Sequence, residues 1–401
     1  MRPDIRNLIA STGLFSAGYS MLIFTIPLFA VSVGSSQSEL GFIALVYNLP
    51  SLFVPLVVGR FLDKTKAMRV IQIAMAAYAL PTLLFPYGST FLQVAAIRAV
   101  QGFVSVAFWV AIEKELADLA SHGERGRIMG FYNVSWSAAF IVGPLLGGFL
   151  IEMFDFKTAF IVTFVWQVAA LILLILLASR DNRGGAALAQ AFEESEAVLA
   201  RAWEPGDLIA ACFTSGMAGV ILGVIFSLFP AYVTLLGFSP VWAGFFILLF
   251  SASRVATFLG VGPAIDRIGE RKFMLTGMVL SVSVIILGSS VRAEFLALGL
   301  LVLGLGSGMT YTAALTLISR SPSKMRGSAI GKFEFSFSLG IALMAQAGGI
   351  SADLFGPSMP YLLSGVVTLF GFVALLGLSF SRKRTRPTNP PMAELPYHTV
   401  S

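Results

Sequence analysis

Long apolar runs separated by short polar segments fill most of this chain and restrict it to one kind of fold. A helix needs about 20 apolar residues to cross a bilayer, and in lipid every backbone N–H and C=O group must be hydrogen-bonded inside the protein. The runs therefore predict an all-α membrane protein with twelve transmembrane helices. The predicted spans are 6–33, 40–61, 69–88, 91–117, 127–152, 157–179, 207–236, 240–263, 272–291, 294–319, 326–352 and 358–380.

The composition supports a membrane location and argues against several kinds of catalytic site. Hydrophobic residues make up 57% of the chain and charged residues 12%, and the mean hydropathy is +0.85. The sole cysteine, Cys212, lies in an apolar run, and His122 and His398 have no neighbours at metal-ligand spacing. The chain also has no paired-carboxylate constellation. We therefore expect no metal, no cofactor and no enzyme activity.

The positions of the basic residues predict the orientation in the membrane. Lysines and arginines concentrate in alternate loops and near both ends, and only Lys157 and Arg292 fall in the loops of the other side. Cytoplasmic loops carry this excess of basic residues in membrane proteins. We expect both termini in the cytoplasm, with the chain in a plasma or inner membrane. The net charge of +6 then needs no nucleic-acid partner.

A short charged turn follows the second apolar run and returns after the eighth. Asp63 and Asp266 hold the same place in the two copies and lie 203 positions apart, about half of the chain. Glycine permits close helix approach, an acid can face the positive end of a helix dipole, and bases keep the loop in the cytoplasm. Lys66 in the first copy stands where the second has Gly269. The turn residues are Gly59, Asp63, Lys64 and Arg69, then Gly262, Asp266, Arg267, Gly269, Arg271 and Lys272.

The repeat extends beyond the charged turns. Pro27 and Gly34 return as Pro230 and Gly237 at the same spacing, and a glycine pattern in the fifth span returns in the eleventh. An even number of helices between copies keeps them in one orientation, related by an axis along the membrane normal. We predict a six-helix bundle over 1–180, a cytoplasmic linker over 181–205, a second bundle over 206–380 and a disordered tail over 381–401.

The form Gly-x-x-x-Asp-Arg-x-Gly-x-Arg-Lys between two hydrophobic spans resembles the signature loop of the major facilitator superfamily. The resemblance implies two parallel six-helix bundles that rock about a midplane site to move a small-molecule substrate, with the third, sixth, ninth and twelfth helices at the periphery. We expect a functional monomer in the lipid bilayer. The resemblance also implies that Asp118 and Arg125 join the Asp63 loop in a cytoplasmic charge network, although simple solvation of these charges is an alternative.

The fifth span resembles the antiporter motif of the drug-efflux branch of that family. Its small residues would allow a close helix crossing, and its proline leaves an unbonded carbonyl that can bend the helix. Ordinary helix packing is the alternative explanation. The motif residues are Gly130, Gly143, Pro144, Gly147 and Gly148, with Ala139 where the pattern has glycine.

The fourth span carries a polar stripe at helical spacing. Arg98, Gln101, Ser105, Trp109 and Glu113 fall on one face, which we expect to line a wet cavity. The first two also match the Arg-x-x-Gln-Gly core of efflux relatives. An arginine extending to the membrane surface is the alternative for Arg98, and a solvated helix end is the simpler interpretation of Glu113.

Two further charges lie deep in apolar spans. Arg254 and Glu334 are each ~14–15 Å from the cytoplasmic ends of their helices, so an ion pair between them is allowed. Carboxylates in low dielectric exchange protons closer to neutral pH, which makes Glu334 the first candidate for proton coupling. Lys332 points to the other side of its helix. The remaining cavity candidates are Asn48, Asn133, Trp136 and Tyr311, together with Tyr19 and Phe226.

These features lead to one main hypothesis about function and three alternatives. We expect a secondary transporter that exports apolar or amphipathic compounds in exchange for protons. A proton-coupled importer of sugars or organic acids is the main alternative. A non-transporting sensor or scaffold on the same fold would need a signalling domain, and a membrane enzyme would need a catalytic constellation.

Overall fold

The computed structural model describes residues 2–62, 65–119, 125–178, 205–260, 265, 268–321 and 323–385. These residues form helices and turns, with no strand among them, which confirms the predicted all-α membrane fold. Eleven of the described helices are long and apolar enough to cross a membrane. The remaining span, the second, is divided by a 3-10 turn that begins at Leu49 and contains Pro50, which has no N–H group to donate.

The first six transmembrane helices, α1 to α6, are called the N half. The second and third are each composite, because a 3-10 segment containing proline interrupts or ends the α-helix. The elements are α1 Pro3–Ser32, α2 Gln37–Asn48 with Leu49–Leu52 and Val54–Leu62, α3 Ala67–Ala79 with Leu80–Tyr87, α4 Phe91–Leu119, α5 Arg125–Met153 and α6 Phe156–Ala178.

Helices α7 to α12 are called the C half. The last helix extends to Thr385, so five residues that the sequence assigned to a disordered tail are helical. The rest of that tail, from 386 on, and the linker before Pro205 lie outside the described residues. The elements are α7 Pro205–Ser227 with Phe229–Leu235, α8 Pro240–Gly260, α9 Glu270–Ser281 with Val284–Ser289, α10 Ala293–Ser319, α11 Ser323–Phe355 and α12 Met359–Thr385.

The internal repeat is visible in the backbone where α1 and α7 end. Gly34 and Gly237 follow these helices with φ angles of 88° and 89°, a conformation that favours glycine. In both places the glycine N–H donates to the carbonyl three residues back, and the next N–H donates to the carbonyl five residues back. This is the Schellman pattern of helix termination. Equivalent positions 203 residues apart therefore have the same local structure.

The two halves pack closely along two seams, α2 against α11 and α5 against α8. Gly41 and Gly349 lie in the first seam, and Gly148 and Gly244 lie in the second. A methyl group added to any of these glycines would lie 2.2–2.5 Å from a backbone carbonyl oxygen of the facing helix. Only glycine permits backbones to approach so closely. The seams lie toward the end of the bundle opposite the chain termini, which we call the seam end; the other is the termini end.

Two carboxylates strengthen the seams by capping helices of the opposite half. Asp353 of α11 accepts the N–H groups of Gln37 and Ser38 at 3.0 and 2.9 Å, at the start of α2. Glu152 of α5 accepts the N–H of Val241 at 3.0 Å, at the start of α8. The first N–H groups of a helix have no partner within it and carry partial positive charge. The two caps occupy equivalent places in the repeat.

The glycine motif of α5 serves two contacts. Gly143 and Gly147 face α1 within the N half, where a methyl group on Gly143 would lie 2.7 Å from a carbonyl oxygen of α1. Pro144 and Gly148 face α8 across the second seam. Gly130 lies nearer the start of α5. The described part of the motif thus provides close helix packing on both of its faces.

Candidate functional site

A cavity of about 330 Å³ lies between the two halves. Its walls come from α1, α2, α4 and α5 of the N half and from α7, α8, α10 and α11 of the C half, and none of its lining residues belongs to α3, α6, α9 or α12. Glu113 and Glu334 line it toward the termini end and are exposed, whereas the seams close the other end. A cavity of this size and position accommodates a small organic molecule.

Arg98 lies in the N-half wall inside a network of polar and aromatic side chains. Its Nη1 donates to Gln101 Oε1 at 3.1 Å and to the Tyr78 hydroxyl at 3.4 Å. The guanidinium carbon is 3.6 Å from the ring centroid of Tyr47, whose hydroxyl donates to that of Tyr19 at 2.6 Å. Only 5% of Arg98 is exposed, so it does not extend to the membrane surface. The ring and hydrogen bonds stabilise its charge without a carboxylate.

Gln101 does not face the cavity, and this part of the predicted stripe is wrong. Its side chain is fully buried, and its amide donates to the Tyr78 carbonyl and the Thr82 hydroxyl at 3.1 and 3.2 Å. Gln101 is about 60° around the helix from Arg98, which turns its amide toward α3. Gln101 therefore holds Arg98 in position from the side of α3, away from the cavity.

Arg254 lies in the C-half wall and has few partners. It is 5% exposed, and its Nε and Nη2 make no hydrogen bond. Three aromatic rings surround the guanidinium, with centroids 5.0 Å (Phe258), 5.5 Å (Tyr311) and 5.9 Å (Trp136) from its central carbon. Trp136 belongs to the N half, so this contact crosses the cavity. Cation–π attraction is then the main described contribution to holding the charge.

Glu334 lines the cavity on α11 and accepts a hydrogen bond from the Tyr311 hydroxyl at 3.2 Å. It forms no ion pair with Arg254, so the pairing that the sequence allowed is not present. Equal depth along the membrane normal does not place two residues side by side, and here Tyr311 occupies the position next to both. Lys332 lies outside the cavity lining and is exposed, as predicted.

Glu113 is a cavity residue that the sequence interpretation undervalued. It lines the cavity on α4, and its charge is within electrostatic range of Glu334 on the facing wall. The signal was present in the sequence, because Glu113 follows Trp109 by one helical turn on the stripe that begins at Arg98. Glu113 was interpreted as a solvated residue because it lies near the end of α4. The cavity, however, extends far enough toward the termini end to include it.

Ser105 of the predicted stripe is buried and does not line the cavity, whereas the remaining predicted cavity residues do. Asn48 donates to the carbonyl of Ala44 within α2, and Asn133 accepts from the Trp136 indole at 3.1 Å. Sequence reasoning selected Tyr19 and Tyr311 but missed Tyr47 and Tyr132, because the apolar residues around a tyrosine do not show how far its ring turns toward a cavity. Aromatic rings also link the two halves, for example Phe140 and Phe226 at a centroid distance of 5.0 Å. The lining is thus largely aromatic and apolar, with two arginines and two glutamates.

The second charged turn is held by ion pairs within the C half. Arg271 of α9 donates a hydrogen bond to Asp207 of α7 at 2.7 Å, and Arg320, the residue after α10, forms an ion pair with Glu270 of α9 at an N–O distance of 2.5 Å. Gly269 has a φ of 93°, which explains the glycine at this position.

The first charged turn shows fewer described contacts. Lys66 has a φ of −69°, an ordinary value for any residue. Asp118 pairs with Lys114 one helical turn earlier at 2.9 Å. Arg69 and Lys272 are exposed, while Gly59 and Arg125 lie in α2 and α5. Asp63, Lys64, Gly262, Asp266 and Arg267 lie outside the described residues, so the predicted network with Asp63 stays a prediction.

Two six-helix halves around a central cavity define a polytopic membrane transporter of small molecules. The sequence profile of the Major Facilitator Superfamily matches residues 8–262 and 250–400. The chain therefore belongs to this family.

Two proteins of similar sequence are named for drug resistance and for export. Multidrug resistance protein 2 of Bacillus subtilis (strain 168) is 25% identical over 92% of each chain. The staphylopine export protein of Staphylococcus aureus (strain Mu50) is 22% identical, over 96% of this chain and 98% of its own. The crystal structure of the nucleoside transporter NupG superposes with a TM-score of 0.71 at 14% identity, over 94% of this chain and 99% of its own. That last likeness shows the fold alone.

Proposed function

We propose that this protein exports apolar or amphipathic organic compounds in exchange for protons. The observation that carries the proposal is the pair of glutamates, Glu113 and Glu334, on opposite walls of an aromatic cavity. Neither forms an ion pair with a described residue. A carboxylate without a basic partner in such an environment accepts a proton more readily than a paired one.

The positions of the two glutamates suggest how proton binding is coupled to movement of the halves. Glu113 belongs to the N half and Glu334 to the C half, and both lie at the open end of the cavity. When both are ionised and the cavity is empty, their repulsion opposes closure of the termini end. Protons or a positively charged group of the substrate relieve that repulsion. The termini end can then close when protons or substrate are bound, but not when the site is empty and both glutamates are ionised.

The relatives and the charged loops support the proposed direction of transport. Two similar proteins are named for multidrug resistance and for export, which favours efflux. The basic loops favour a cytoplasmic location of the termini end. The described conformation would then be open to the cytoplasm, where an exporter loads its substrate. One chain supplies both cavity walls, so we propose a monomer as the functional unit.

Transport of the cationic dye rhodamine 123 into everted membrane vesicles tests this proposal. Energised everted vesicles acidify their interior, so an exporter that exchanges substrate for protons accumulates the dye inside while protons leave. We expect Glu334→Gln and Glu113→Gln each to lower gradient-driven accumulation by about tenfold or more, because the site then cannot exchange its proton. Glu115→Gln is the control, since Glu115 lies two residues from Glu113 but does not line this cavity.

Three results would count against the proposal. Uptake in right-side-out vesicles with proton entry would indicate an importer. Normal gradient-driven accumulation in the double variant Glu113→Gln/Glu334→Gln would remove both glutamates from proton coupling. Equal losses in Glu115→Gln would show that the effect is not specific to the cavity.

A further inference from the structure

Arg254 is a buried positive charge whose hydrogen-bonding groups the protein leaves unused. Its Nε and Nη2 have no partner, although the residue lines the central cavity and is only 5% exposed. A buried charged donor without an acceptor is costly, and proteins nearly always supply a partner. The three rings around the guanidinium attract its charge but accept no conventional hydrogen bond.

The acid that the sequence placed at the same depth as Arg254 already has a hydrogen-bond partner. Glu334 accepts from the Tyr311 hydroxyl and does not pair with Arg254. For Arg98, the other cavity arginine, the protein itself supplies the partners. Its guanidinium donates to Gln101 and Tyr78 and lies over the ring of Tyr47. The unused donors of Arg254 are thus a property of this position and not of arginines in this cavity generally.

We propose that Arg254 binds the carboxylate of an amphipathic aromatic substrate. This inference rests on the proposed export function and specifies its substrate class. The guanidinium presents planar donors that match a carboxylate. Trp136 and Tyr311 line the cavity and provide ring faces for the aromatic body, and Glu113 and Glu334 at the open end attract a cationic group. The preferred substrate is therefore zwitterionic, with its negative end at Arg254 and its positive end toward the termini end.

A matched pair of dyes tests the proposal directly. Rhodamine 123 is the methyl ester of rhodamine 110, so the two share the aromatic cationic body and differ in the free carboxylate. Binding to the purified full-length protein in lipid nanodiscs is measured by fluorescence polarisation, without a proton gradient. We expect the wild type to bind rhodamine 110 about tenfold to a hundredfold more tightly, the range expected for hydrogen bonds to a charged group.

Variants then assign the preference to Arg254. We expect Arg254→Gln to lose most of the affinity for rhodamine 110 and to keep that for rhodamine 123 within about threefold. Arg254→Lys retains the charge without the planar donors and should keep part of the preference. Lys332→Gln removes a positive charge from the same half but outside the cavity lining, and it should leave the preference unchanged.

The outcomes separate this inference from the proposed function. Equal binding of the two dyes by the wild type, or tighter binding of the ester, overturns the anion site. So does an Arg254→Gln variant that weakens both dyes equally, because that result indicates a structural role. If Arg254→Gln does not fold, the wild-type preference and the Arg254→Lys variant decide. Gradient-driven accumulation of rhodamine 123 in vesicles is independent of all these results and tests export alone.

Discussion

Each half of the protein contributes one buried arginine to the cavity wall, and the two are held in opposite ways. Arg98 of the N half bonds Gln101 and Tyr78 and covers the ring of Tyr47, whereas Arg254 of the C half has two nitrogens without any hydrogen bond. The glycines and acids of the seams nevertheless occupy equivalent places in the two halves, as do the glycines that end α1 and α7. These positions of the repeat therefore match, whereas the polar side chains in the cavity have diverged.

The largest effect is expected where the halves are alike, at the seam glycines. A methyl group on Gly244 or on Gly41 would lie 2.5 or 2.4 Å from a carbonyl oxygen across its seam. We expect Gly244→Val and Gly41→Val each to reduce vesicle transport by about tenfold or more, because the seam cannot close without backbone movement. Gly260→Ala, at the far end of α8 with no neighbour within 4 Å of the added methyl group, is the control. A loss in only one of the two seams would contradict their equivalence.

The next effect tests the difference between the two arginines. Arg98→Ala should lower the free energy of unfolding by ~2–3 kcal/mol, because Gln101 and Tyr78 lose a charged partner while buried. Arg254 donates a hydrogen bond to no described protein group, so Arg254→Ala leaves no acceptor unpaired. The free energy of unfolding should therefore change by less than about 1 kcal/mol. Thermal unfolding of both variants in detergent checks the prediction. Similar losses of stability in the two variants would show that Arg254 has a structural role comparable to that of Arg98.

A smaller effect is expected from the acids that cap helices across the seams. Glu152→Gln or Asp353→Asn removes the charge of one cap and weakens its contact with the opposite half. The ratio of molecules open at the seam end to molecules closed there should then rise by roughly threefold to tenfold. Spin labels at the exposed positions Phe154 and Phe355, in a Cys212→Ser background, report the distance between the halves. The two variants should act alike, and an unchanged distance distribution in both would exclude a role for the caps.

The smallest effect concerns the two charged turns. Gly269→Ala should cost about 1 kcal/mol, because its φ of 93° is strained for any residue with a Cβ. Lys66→Ala, at the equivalent place with an ordinary φ, should cost less than about 0.5 kcal/mol. Thermal unfolding of the two variants measures the difference. A Lys66→Ala variant as unstable as Gly269→Ala would mean that the first turn depends on side-chain contacts of Lys66 instead.

Much of the fold was predictable because its causes are local. Apolar runs of membrane length depend only on the lipid that surrounds a segment. Gly34, Gly237 and Gly269 depend only on the backbone conformation of the residue itself. The cavity was less predictable. Gln101 was assigned to the cavity and faces α3 instead. It lies about 60° around α4 from Arg98, and that rotation is enough to turn a side chain from the cavity to a neighbouring helix. Tyr47 and Tyr132 carry no sequence signal that distinguishes a lining residue from a buried one.

The sequence by itself determined that this chain crosses a membrane repeatedly, that its two halves are copies, and which few charges lie deep in apolar helices. Only the tertiary structure decided how those charges are distributed around the cavity: Arg98 within a hydrogen-bonded network, Arg254 among aromatic rings, and Glu113 facing Glu334. The physical reason is that burial in lipid depends on the composition of one segment, whereas the partner of a buried charge depends on the rotation and lateral position of several helices at once.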